Sequence, residues 1–140
     1  MIHEEIVTYE VAKLAKEKGF DVPTDRYYHI YDDVIEAQNS LEMTGDGCAD
    51  FYNSLNQCRC SAPTQSLLQR WLREEKGIQI CIDSDLNFDD ETFVYEWQIT
   101  NKENFNNGGF EIHRYNSEES HCTYELALED ALKYALENLV

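Results

Sequence analysis

The stretch CRCSAPTQSLLQRWLREEKGIQICI, residues 58–82, contains a change of period that decides the fold. Leu67, Leu68, Trp71 and Leu72 recur at the 3.6-residue spacing of a helix with one apolar face. After Gly77 the spacing drops to two, with Ile78, Ile80 and Ile82 alternating with Gln79, Cys81 and Asp83. A helix from about Ala62 to Glu75 followed at once by a strand is therefore expected. Ser61 is its expected cap, Pro63 is tolerated in the first turn, and Gly77 is a natural exit.

The two-residue period continues downstream. Phe93, Tyr95, Trp97 and Ile99 alternate with Val94, Glu96 and Gln98, and Phe110 and Ile112 alternate with Glu111 and His113. Each run is read with its apolar set facing inward, giving a three-stranded antiparallel sheet with helices on one face and water on the other. The connections span about Ser84–Thr92 and Asn101–Gly109, the second with an NNGG turn at Asn106–Gly109 that supplies positive φ. A closing helix runs from Tyr124 to Asn138, capped by Thr123, with Leu128, Ala131, Leu132, Ala135 and Leu139 on one face.

Upstream, Thr8 caps a helix to about Lys18, with Val11, Leu14 and Ala15 as its stripe and Gly19 as its stop. Residues 25–57 carry weaker signals: RYYHIYD points to a strand at Tyr27–Tyr31, and the rest is expected as a short hairpin extension. The expected class is α+β in a single domain, with residues 1–60 as N-terminal helix and extension and residues 61–140 as an α-β-β-β-α core. The core order is that of double-stranded-RNA-binding domains, an analogy of fold alone. Those domains place lysines at the start of the last helix, whereas here NSEESHCTYE sets Glu118 and Glu119 where a phosphate would lie.

Charge narrows the function. At 140 residues with 42% hydrophobic and 12% aromatic content the chain can build a core, yet 28 acids face 11 bases, for a net charge of −17. Four bases fall in residues 1–26 beside six acids, none in residues 27–58, and four in residues 59–76, as Arg59, Arg70, Arg73 and Lys76; residues 77–140 hold only Lys102, Arg114 and Lys133 against fourteen acids. Such a field repels phosphate backbones, so direct nucleic-acid binding is not expected. No apolar run has the length of a membrane span, MIHEEIVTYE lacks signal-peptide features, and five cysteines read as reduced thiols. A cytoplasmic protein without membrane attachment is expected.

Four residue groups invite a chemical reading. Cys58 and Cys60, with His113 or with His121 and Cys122, hold zinc-ligand types, but Cys-x-Cys lacks the usual spacing. The acidic run DSDLNFDDE copies the alternation of an EF-hand through Asp83, Asp85, Asn87 and Asp89. It fails at Phe88, where glycine is required, and at Val94, where a bidentate glutamate is required. Glu96, Glu111 and His113, with Gln79, Cys81 and Gln98, are placed on the open sheet face, where they would serve a small hydrolase if walled into a pocket. Arg70, Arg73 and Lys76 suit the C-terminal half of their helix and its dipole, and Trp71 belongs to the core. No catalytic, cofactor or metal set is therefore assigned.

In three blocks, TYEVAKLAKEKGFD near the start, SAPTQSLLQRWLREEKGIQI at Ser61–Ile80 and YELALEDALKYALE at the end, the chain resembles a group of small proteins from phages and prophages of gut bacteria. The resemblance implies a cytosolic accessory protein of a mobile element and carries over no functional residues. The leading expectation is a non-enzymatic module that binds a protein with a basic surface. The alternatives are a DNA mimic, with Asp83, Asp85, Asp89, Asp90 and Glu91 in one acidic surface, and the small hydrolase above.

Overall fold

Thr8 starts the first helix as expected: its side chain accepts a hydrogen bond from the Val11 amide, and α1 runs over Tyr9–Glu17. The computed structural model describes residues 2–45 and 51–140, so Cys48 lies outside the described residues. It is α+β, with four α-helices and two three-stranded antiparallel sheets. The chain divides into two compact units, residues 1–67 and 68–140.

In the N-terminal unit the expected strand and short hairpin extension become a three-stranded sheet. After α1 come β1 (Arg26–His29), α2 (Val34–Gln38), β2 (Glu42–Met43), a 3-10 turn (Asn53–Leu55) and β3 (Arg59–Ser61), in sheet order β2-β1-β3. β3 pairs Cys60 with Tyr28. Ser61 is therefore a strand residue, not a helix cap. The cap falls to Thr64, whose Oγ1 accepts from the Leu67 amide, because Ala62 and Pro63 extend the strand's exit: Ala62 N–H donates to the Arg26 carbonyl. α3 (Gln65–Lys76) begins in this unit and continues into the next.

Polar side chains tie this unit's backbone. Tyr28 Oη, fully buried, donates to the Val7 carbonyl at 2.6 Å and accepts from Gln38 Nε2, while Gln38 Oε1 accepts from the Tyr9 amide. Buried Asn53 donates to the Phe20 carbonyl at 2.6 Å and accepts from the Ser61 amide at 2.8 Å. Lys16 Nζ reaches the carbonyls of Asn56 and Arg59 at 2.5 and 2.6 Å. Tyr9, Val11, Ala12 and Ala15 are the buried residues of α1; Ala12 takes the place expected for Leu14, which is half-buried.

The C-terminal unit follows the period-two reading closely. β4 (Ile78–Asn87), β5 (Thr92–Asn104) and β6 (Phe110–Asn116) form a meander in order β4-β5-β6, and α4 (Tyr124–Asn138) lies across β4 and β5. Gly77 adopts φ +68, and a Cβ there would stand 3.3 Å from the Lys102 carbonyl, so the abrupt switch from helix to strand requires glycine. Gly108, φ +87, turns the NNGG segment as expected. Ile78, Ile80, Trp97, Ile99, Leu128 and Leu132 are all buried, as are Leu68, Trp71 and Leu72 of α3. Leu136 replaces Leu139 in the buried stripe of α4.

One strand is inverted relative to expectation. β6 pairs Tyr115 with Ile99 and His113 with Asn101, and residues directly opposite share a face. Glu111, His113 and Tyr115 therefore stand on the helix side of the sheet. Phe110 and Ile112 stand on the open side, where the Lys102 ammonium lies 4.9 Å from the Phe110 ring centroid. No helix among the described residues is long and apolar enough to cross a membrane.

Candidate functional site

The inversion of β6 builds a cleft beside α4. Because Tyr115 faces the helix side, its ring meets Tyr134 of α4 at 5.7 Å between centroids, and Tyr134 in turn lies 5.0 Å from the Trp97 ring of β5. Trp97 is only 5% exposed and forms the floor. Its indole N–H donates to Asp130 Oδ2 at 2.7 Å, which fixes that carboxylate above the sheet. The cleft encloses about 480 Å³.

The rim comes from a deformation after β6. Ser117 N–H donates to the Trp97 carbonyl, and Ser117 Oγ accepts from the Trp97 amide at 3.2 Å. Continuing that register would put Glu119 opposite Tyr95, but His121 is there, exchanging both backbone hydrogen bonds with Tyr95 at 2.7 and 2.8 Å. Two extra residues are thus looped out, one more than in an ordinary bulge, which sends Glu118 and Glu119 to the cleft edge. His121 Nε2 is buried and lies 3.3 Å from Asp130 Oδ2 without the alignment of a hydrogen bond. Asn116 completes the wall.

This arrangement favours a cation. Three carboxylates, Asp130, Glu118 and Glu119, converge on aromatic faces, and no lysine or arginine lines the cleft among the described residues. Ring quadrupoles and carboxylates both attract positive charge.

The residues singled out from sequence are dispersed. Cys60 is fully buried against β1 and its thiol is pushed up to about 11 by that burial, whereas Cys58 is exposed. Cys58 precedes β3 at the surface while Cys60 is buried within that strand, where its thiol is held protonated. Cys81 and Cys122 are exposed free thiols.

The acidic run is mostly strand. β4 continues to Asn87, so Asp83 and Asp85 project from a ladder, and the turn shrinks to residues 88–91. Asn87 Oδ1 accepts from the Asp89 amide, and Asp90 Oδ1 accepts from the Thr92 hydroxyl at 2.6 Å and from its amide. The Thr92 hydroxyl holds the Asp90 carboxyl below its ordinary value. These bonds close a hairpin rather than wrap a cation.

The expected hydrolase set is split by the inverted strand. Glu96 stands on the open face opposite Asp83, whereas Glu111 and His113 stand on the helix face. There His113 Nε2 lies 3.6 Å from Glu111 and 3.7 Å from Glu103, and the two glutamates, directly opposite each other, are both exposed. Their donor atoms fall within 4.8 Å of one another at the water-washed end of the sheet.

In the sequence Glu118 and Glu119 stand out only as obstacles to a phosphate, and Tyr134 and Asp130 do not stand out at all. The available signal was the run YNSEESH between a strand and a capped helix. It has more residues than a simple turn needs and brings acids beside aromatics. No protein-family model matches the chain, and no curated protein or solved structure matches it either.

Proposed function

We propose that the chain is a non-enzymatic protein-binding module, an accessory protein of a phage or other mobile element, whose cleft beside α4 receives a basic segment of its partner. The observation that carries this reading is the convergence of Asp130, Glu118 and Glu119 on the rings of Trp97, Tyr115 and Tyr134. The net charge of −17 adds long-range attraction for a basic surface, which raises the rate of encounter and confers sensitivity to salt. The Trp97 indole holds Asp130 in place, an arrangement suited to presenting a fixed negative charge. The resemblance of the chain's terminal and central blocks to phage and prophage proteins supports the cellular setting.

A fluorescence titration with a synthetic lysine- and arginine-containing peptide tests the reading. The parent should bind saturably and more weakly as NaCl rises, and the triple variant Glu118→Gln, Glu119→Gln, Asp130→Asn should lose at least tenfold in affinity. Equal binding by parent and variant would show bulk charge at work rather than the cleft.

A second reading, mimicry of a nucleic-acid backbone, draws on a different place. Asp83 and Asp85 share the open sheet face with Glu96, next to Asp89, Asp90 and Glu91 of the hairpin turn. Under it, Asp83→Asn with Asp85→Asn would abolish binding to a basic DNA-binding protein and the cleft variant would not.

A further inference from the structure

We infer that the cleft selects arginine over lysine in the segment it receives. The inference rests on the proposed binding role of the same cleft and adds the chemistry of its ligand. Three features lead to it.

The first is the shape of the apolar surface. Tyr115 and Tyr134 are half-buried and mutually tilted by 49°, with Trp97 beneath Tyr134, so the wall offers extended ring surface rather than a closed box. A planar guanidinium stacks on such a wall over its whole area. A compact ammonium gains little from it and gives up a tighter hydration shell.

The second is the state of Asp130. Trp97 Nε1 donates to Oδ2, and His121 Nε2 lies 3.3 Å from the same oxygen, which orients the carboxylate. A carboxylate held in one orientation rewards a donor whose own N–H groups are fixed in a plane, because less freedom is lost per bond formed.

The third is the placement of the remaining charge. Glu118 and Glu119 come from the looped-out connector and Asp130 from the helix, so two separate elements supply the carboxylates that line the cleft. The guanidinium's five N–H groups diverge and can serve carboxylates on two sides at once. A volume of about 480 Å³ is within the range of ligand clefts, room enough for a long side chain together with flanking backbone.

The test uses three synthetic peptides that are identical except for one central residue, arginine, lysine or citrulline, with uncharged flanks. Calorimetric titration of the full chain should give at least tenfold tighter binding for arginine than for lysine, and the least affinity for citrulline, which keeps the planar shape but lacks the charge. Tyr134→Leu should bring the arginine and lysine affinities together, whereas Asp130→Asn should weaken both. If Tyr134→Leu does not fold, Tyr115→Leu at the sheet edge provides the same comparison. Equal affinities for arginine and lysine in the parent would overturn the selectivity while leaving the basic-segment reading intact. Failure of both charged peptides to bind would overturn the two together.

Discussion

The two units of this chain are held by different means. In residues 68–140, strands of 10, 13 and 7 residues pair along their length and bury one apolar row beneath the apolar stripe of α4. In residues 1–67, strands of 4, 2 and 3 residues carry little ladder, and side chains such as Tyr28, Gln38 and Asn53 bond to backbone groups distant in sequence. Long ladders encode themselves as periodicity. A side chain that bonds a backbone group thirty residues away leaves no periodic trace. The comparison teaches that stability in the second unit resides in apolar area, and in the first to a larger degree in satisfied buried polar groups.

The largest expected effect is in the apolar unit. Leu132 is fully buried, and Leu132→Ala should lower stability by about 3–5 kcal/mol in denaturant unfolding. A loss below about 1 kcal/mol would show that the stripe of α4 is not packed as described. The counterpart in the polar unit is Asn53→Ala, which leaves the Phe20 carbonyl and the Ser61 amide without their partner. About 2–4 kcal/mol should be lost, although few apolar atoms are removed. A variant that melts like the parent would remove the distinction between the units.

A smaller, pH-dependent effect sharpens the same contrast. Burial raises the Cys60 thiol from its usual 9.0 to about 11, so the folded state holds this proton more tightly than the unfolded chain. The associated stability is fully present below pH 9 and is lost as pH rises through 11. The window amounts to about 2–3 kcal/mol. Cys60→Ala should flatten the fall in melting temperature between pH 9 and 11 relative to the parent; an unchanged slope would assign alkaline instability to other groups.

Legibility in sequence follows the same physics. α4 matched its expected bounds because Thr123 capped a long apolar stripe, and Thr8 marked α1 for the same reason. The start of α3 was set too early because β3, only three residues long, takes in the position read as cap, and Ala62 continues its pairing toward β1. β6 was read in the wrong phase. Phe110 and Ile112 are its most apolar residues, yet they lie at the strand's outer end, 58% and 46% exposed, where neither face is covered and hydrophobicity does not choose a side. Tyr115, opposite buried Ile99, sets the phase. The candidate site was hidden by that same error, since with β6 inverted in the reading, Tyr115 points away from Tyr134 and the cleft does not exist.

The central claim is that basic ligands are drawn to the cleft beside α4 and not merely to an acidic surface. Titration of the arginine-containing peptide into isotopically labelled protein, followed by amide and indole resonances, tests it most directly. The account predicts saturable shifts of the Trp97 indole N–H, which donates to Asp130, and of amides 116–121, while the Trp71 indole, paired with Lys76 Nζ at 5.2 Å, stays in place. Shifts spread over residues 83–91 and the other exposed acids, with the Trp97 indole unmoved, would contradict it.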